Sequence, residues 1–568
     1  MSVRRLLIAS VILGLTPAVT TPINAANRAA NSEPADARAS KFIERHLKEV
    51  RPLEIATNLA WWKANTTGKD EDFEAKNKAE DAYNLALSNK ERFAELKAIQ
   101  EAGVDDDLLA RQIDVLYRQY LEKQVDPALL NRMTAKANSI EKAFNVYRAE
   151  VAGDKLTDSE VRKVLNDSND SAERKAVWQG SKAVGTQVEA DLKDLVRLRN
   201  EAAEKLGFRD YHVMMLYLNE QKQEDVLKLF DELDELTRGP FAKAKQQIDV
   251  KLAERYAIDV DELRPWHYHD PFFQEPPKVY DADLDDVFSD ADILAICREF
   301  YAGIGLPIED VLERSDLYEK PGKSPHAFCT DIDRAGDVRV LANIVRNQYW
   351  MSTMLHELGH AVYSSKNIPQ SVPYLVRSDA HILCTEGVAM MFERFAKSGD
   401  WLKQMGVDVP DVAAYNEAGH QMRRDQLLIF SRWCQVMLRF EAAMYRDPNQ
   451  DLNKLWWDLV EKYQLVKRPE DRDAPDYASK IHVVSAPAYY HNYMMGELFA
   501  TQLHAAIARE VLKSKDPTTA IYYDNKAVGK FMNEKVFAKG RILPWNDLTK
   551  FATGEPLNAK AFAAEFAE

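Results

Sequence analysis

The chain is poor in cysteine, with four residues (Cys297, Cys329, Cys384, Cys434) in 568, and no two of them form a C-x-x-C pair. That excludes a disulfide-dense scaffold, a cysteine zinc finger and a dithiol redox motif. Beyond the first 20 residues no stretch offers some 18 uninterrupted apolar positions, so no later segment reads as a membrane span. Excess positive charge is also missing. The formal net charge is −15, spread along the sequence, which argues against nucleic-acid binding. Low-complexity tracts and fixed-period repeats are absent, which removes solenoids.

What is present is an ordinary globular composition, 46% hydrophobic and 29% charged, long enough for one large core or two lobes about a cleft. The N-terminus stands apart. Arg4 and Arg5 precede an apolar run from Leu6 to Val19, followed by small residues at Ala25 and Ala26. This is the order of a secretory signal peptide, residues 1–25, leaving a single exported domain over 26–568, periplasmic or secreted. An uncleaved anchor is the alternative, although the run is short for a span. No cysteine follows it to carry a lipid.

From about Ala35 to Tyr256 apolar residues recur at three- and four-residue spacing, as in "EDVLKLFDELDELTRG", and Gly239-Pro240 is expected to end one helix. The run "PWHYHDPFFQEPP" at 265–277 reads as loop, and "PHAFCTDIDRAGDVRVLANIV" as a hairpin about Asp-Arg-Ala-Gly-Asp. Helical periodicity resumes near Tyr349. The expected fold is mainly α with one small sheet beside the helix that follows it.

That helix contains HELGH at 356–360. Residues four apart share a helix face, so His356 and His360 can bind one ion, and Glu357 can reach a water on it as general base. A catalytic zinc site needs a third protein ligand and an open position. Downstream, "SDAHILCTEGVAMMFERFAKSG" reads as a second helix, ended by Gly399, that offers Asp379, His381, Glu386 and Glu393. Glu386 sits among apolar and small residues, as a buried ligand would. Glu393, two turns on, suits a partner for a ligand histidine. The cofactor expected is one Zn²⁺ per chain.

Several separated segments together resemble the gluzincin peptidases, specifically the angiotensin-converting enzyme (peptidyl-dipeptidase A) family. They are "NLAWWKANTTG" from residue 58, HELGH with a Glu 26 residues after its second His, "WWDLVEKYQ" at 456–464 and "SKIHVVSAPAYYHNY" at 479–493. Parts of 326–331 and 486–493 look equally like the thimet oligopeptidases. The resemblance implies a two-lobed helical peptidase with a deep central channel, acting on short peptides and releasing dipeptides from a free C-terminus. An endo-acting oligopeptidase, a carboxypeptidase and an inactive peptide-binding homologue are the alternatives. The resemblance also implies roles for particular residues. Lys480 and Tyr490 would bind the substrate carboxylate, His482 and Tyr493 would stabilise the transition state, and His326 and Ala327, on an edge strand, would hold the peptide backbone.

The chain departs from the family pattern at several places. The family's carboxylate-binding glutamine corresponds to Tyr268, near Trp266, and the arginine of its carboxypeptidase branch is missing there too. The aspartate four residues beyond the third ligand is Met390, and the arginine tied to chloride activation is Asn492. Added chloride is therefore expected to leave turnover of a short peptide nearly unchanged; a several-fold rise contradicts this.

Overall fold

Apolar residues at helical spacing become buried stripes along helices that build nearly all of the chain. A computed structural model describes residues 33–279 and 284–567; the leader expected over 1–25 lies outside the described residues. Helix Asp107–Glu122 is typical: Asp106 caps it through the Leu109 N–H at 2.8 Å, and Ile113, Leu116 and Tyr120 turn inward. No helix among the described residues is long and apolar enough to cross a membrane.

The helix expected to stop at Gly239-Pro240 continues through both, from Gln223 to Tyr256. Its buried positions Phe230, Leu233, Thr237, Phe241, Ala244, Ile248 and Leu252 keep one face across the proline. Proline removes one hydrogen bond, here to Leu236, a residue 40% exposed. Packing of the continuous stripe outweighs that local cost.

Two small antiparallel hairpins occur among the described residues where one was expected. The unexpected one pairs Ala149–Val151 with Asp154–Leu156 about Ala152 (φ 52°) and Gly153 (φ 97°). Two successive left-handed residues match the twist of a tight hairpin, but three-residue strands leave no alternation to read. The expected hairpin pairs Phe328–Asp331 with Val338–Leu341, Phe328 facing Leu341 and Asp331 facing Val338. His326 and Ala327, expected on its edge strand, lie just before it, and His326 is exposed in a bend.

The N-terminal helices bury a small core of their own around Phe42, Leu96, Ile99, Leu116 and Tyr120. They also rest on the second hairpin. Asn58 donates to the Ile332 carbonyl at 3.0 Å, Glu54 pairs with Arg334 at 2.5 Å, and Trp61 lies 4.3 Å from Phe328.

The main core centres on three helices packed side by side: Gln348–Val362, Ile382–Glu393 and His491–Ile507. Glycine permits their closeness. A Cβ added at Gly359 would lie 2.7 Å from Ala389 Cα, and one at Gly387 would lie 2.7 Å from the Gly496 carbonyl oxygen. Gly359→Ala is thus expected to destabilise the protein by about 1–3 kcal/mol through overpacking, read as a lowered Tm together with weaker metal retention. Native Tm and native metal content in this variant contradict so tight a crossing.

Candidate active site

The histidine helix Gln348–Val362 starts where the Asn347 side chain accepts from the Trp350 N–H at 2.8 Å. It buries Trp350, Met351, Met354, Leu355 and Leu358, which fixes the direction in which His356 and His360 project. The neighbouring helix runs antiparallel, since His356 meets Glu393 while His360 meets Thr385. Its α-helical part ends at Glu393 and continues as a 3₁₀ turn to Lys397. Gly399 therefore does not end it but opens the next helix, which Ser398 caps.

Of the four side chains that this second segment offers, Glu386 faces the histidine pair. His356 Nε2 and His360 Nε2 are 3.1 Å apart, and Glu386 Oε2 lies 3.6 and 3.9 Å from them. A tetrahedral ion held at about 2.0–2.1 Å by each donor would set them about 3.3–3.4 Å apart, so the three donors suit one metal ion. His381 turns away and caps its own helix through the Leu383 N–H at 3.1 Å. Asp379 contributes its charge to the pKa of Glu386 but is no member of the donor group.

The other ring nitrogens are fixed as well. Glu393 Oε2 lies 2.6 Å from His356 Nδ1, and Thr385 Oγ1 lies 2.8 Å from His360 Nδ1. Protons on both Nδ1 atoms leave two Nε2 lone pairs facing each other, an arrangement that calls for a cation. A proton answers when no metal does. Burial pulls the pKa of His356 down, yet its hydrogen bond to Glu393 and the charges of Glu393, Glu357 and Glu386 hold it up at about 9. His360 is pushed well below its usual value by burial and by His356. Thr385 was not anticipated from sequence; its position one residue before Glu386 was the available signal. Met390 packs against the core, and Glu393 supplies the carboxylate beside the ligand histidine.

Glu357 is buried, and its carboxylate takes a hydrogen bond from the Cys329 backbone N–H on the hairpin. Burial, aided by Glu386 and Glu393 and opposed by His356, raises its pKa to about 7. A carboxylate so poised can take a proton and return it near neutral pH.

The third helix carries Tyr493, half-buried and close enough to Glu386 for that charge to raise its pKa after burial. Tyr493 packs edge-on against Tyr489 at 5.3 Å and stands 5.6 Å from Tyr490, whose ring lies 5.3 Å from that of His482. Burial and the Lys480 charge lower His482 to about 4, so its ring is neutral, and its Nδ1 is buried without a partner. Lys480 Nζ lies 2.7 Å from Gln274 Oε1, and Tyr490 Oη lies 3.5 Å from the same atom.

The glutamine beside Lys480 is Gln274. Tyr268, where a glutamine was sought, is buried elsewhere, bonded through its hydroxyl to Lys245 at 2.8 Å and Asp249 at 3.0 Å. The aromatic, proline-rich loop carries Gln274 to Lys480 from six residues further on. His326 and Ala327 are not members of the ligand group; the strand that follows them meets the site at Cys329, whose backbone N–H bonds Glu357.

A sequence profile of the family described as angiotensin-converting enzyme matches residues 33–260 and 278–567, omitting the loop that contains Gln274. The angiotensin-converting enzyme-like protein Ace3 of Mus musculus is 23% identical over 465 residues, covering 75% of this chain and 62% of its own length. The angiotensin-converting enzyme of Theromyzon tessulatum is 20% identical over 444 residues, 72% of this chain and 70% of its own. That of Mus musculus is 21% identical over 614 residues, 99% of this chain but 45% of its own. The chain thus spans less than two thirds of the length of both mouse relatives. Replacing Glu393 by Gln is expected to weaken metal affinity about 10–100-fold by loosening His356, measured by chelator competition. Unchanged affinity would leave Glu393 no part in holding that ring.

Proposed function

The chain belongs to the angiotensin-converting enzyme family of peptidases, and we propose that it is an exported zinc metallopeptidase releasing dipeptides from the free C-terminus of short peptides. The observation that carries this reading is the pairing of two clusters: the three donors with Glu357, and Lys480 with Tyr490 about one amide oxygen.

His356, His360 and Glu386 would hold the zinc, one per chain, with Glu393 and Thr385 fixing the rings. Bound there, zinc supplies Lewis acidity that makes a water acidic near neutral pH and polarises a carbonyl. Glu357 takes the proton of the attacking water and passes it to the leaving nitrogen, a shuttle suited to a carboxyl whose burial favours its protonated form. As the tetrahedral centre forms, the Tyr493 hydroxyl donates to its oxygen, and the neutral ring of His482 offers a second N–H. The backbone beside His326 and Ala327 would align an extended peptide with the hairpin edge.

Gln274 Oε1 now occupies the point on which Lys480 and Tyr490 converge. A substrate carboxylate oxygen placed there would receive the ammonium and the phenol, and a turn of the Gln274 amide would add its NH₂. A carboxylate anchored at fixed distance from the metal sets which bond is cut.

Burial, opposed by Asp270, lowers Lys480 to about 8. Its charge is complete below that pH and is lost as pH rises through it. For a free-C-terminal peptide kcat/KM is expected to fall above about pH 8, approaching tenfold per pH unit. The amidated peptide should be a poor substrate without this limb, and mass spectrometry should show dipeptide products. Equal cleavage of both peptides at internal bonds would instead identify an endo-acting oligopeptidase.

A further inference from the structure

Tyr493 is the third residue of its helix, and the two before it are tied to a distant side chain. Gln221 Oε1 lies 2.8 Å from His491 Nε2, while Gln221 Nε2 donates to Asn492 Oδ1 at 2.7 Å and approaches Met495 Sδ at 3.7 Å. Gln221, His491 and Asn492 are each at most 4% exposed. The amide oxygen can only accept, so His491 carries its proton on Nε2, and the orientation of the Gln221 amide follows. Burial keeps the His491 ring neutral.

Gln221 is itself held rigidly. It follows Glu220, whose backbone is left-handed (φ 59°), and its own N–H donates to the Leu216 carbonyl at 2.8 Å. The Glu220 carboxylate bridges Arg111 at 2.9 Å and Arg541 at 2.7 Å, and the Glu220 carbonyl accepts from Trp545 Nε1 at 3.0 Å. Segments from both ends of the chain therefore fix the turn from which this amide reaches.

We propose that Gln221 is a positioning residue for the reaction: by binding His491 and Asn492 at once, it sets the rotation of the helix start and thereby where the Tyr493 hydroxyl stands. This rests on the oxyanion role given to Tyr493 above. One contact would leave the first turn free to pivot, whereas two on adjacent residues, about 100° apart around the axis, define its rotation. A pivot of some 10° moves a tyrosine hydroxyl by on the order of 1 Å, enough to cost up to about 100-fold in rate.

The test is a double-mutant cycle on a short peptide with a free C-terminus, using Gln221→Met, Tyr493→Phe and the pair. Gln221→Met keeps the volume and removes both hydrogen bonds. It should lower kcat at least ~10-fold with KM within ~2-fold and zinc content unchanged, and the pair should be no slower than Tyr493→Phe alone. The same kcat loss in both backgrounds, or native kcat in Gln221→Met, overturns the proposal while leaving the peptidase reading intact. Native kcat in Tyr493→Phe removes the role of that hydroxyl, and the proposal with it. Should Gln221→Met not fold, Asn492→Leu removes one arm of the same clamp and carries the same cycle.

Discussion

Two imidazole lone pairs and a carboxylate brought within 4 Å of one another, partly shielded from water, make sense only with positive charge between them. Much of the structure follows from maintaining that arrangement. Glu393 and Thr385 orient the rings from behind. Gly359 lets the two ligand-bearing helices approach until backbone nearly touches backbone, and Gly387 does the same for the helix of Tyr493. A buried Glu357, held by a strand N–H, turns the same field of carboxylates into a base with raised pKa. Ligand geometry, base strength and helix packing are thus one constraint seen at three distances.

The same logic of convergence recurs where the substrate would end. Lys480 stands over the faces of Phe272 and Trp433, 5.0 and 5.1 Å from their ring centres, and bonds the Gln274 amide. Aromatic burial strips water from the ammonium and lowers its pKa, so a carboxylate arriving there restores the partner that solvent no longer provides. The Gln221 clamp adds a third instance, in which a neutral amide holds two residues rather than a ligand.

Legibility from sequence tracked how local each determinant is. HELGH and the choice of Glu386 over Asp379 and His381 rest on spacing within one helix and on apolar neighbours, and both can be read directly. The second hairpin was readable because Asp-Arg-Ala-Gly-Asp separates two β-prone runs. Pro240 misled because a local breaker was weighed without the buried stripe on both sides of it. Gln274 is not legible because a loop has no periodicity to fix its register, and the residue that reaches Lys480 lies six positions beyond Tyr268. Thr385 and Gln221 act through side-chain hydrogen bonds between separate segments; only for Thr385 does the sequence offer a hint, its place beside Glu386.

The central claim is that one divalent ion is held by His356, His360 and Glu386 and by no thiol, although Cys384 lies buried on the Glu386 helix and Cys329 half-buried on the hairpin. X-ray absorption at the zinc edge of the loaded protein tests this directly. The account predicts two imidazole nitrogens with oxygen completing four-coordination, all at about 2.0–2.2 Å. Sulfur scattering at about 2.3 Å, or a single imidazole, would contradict it.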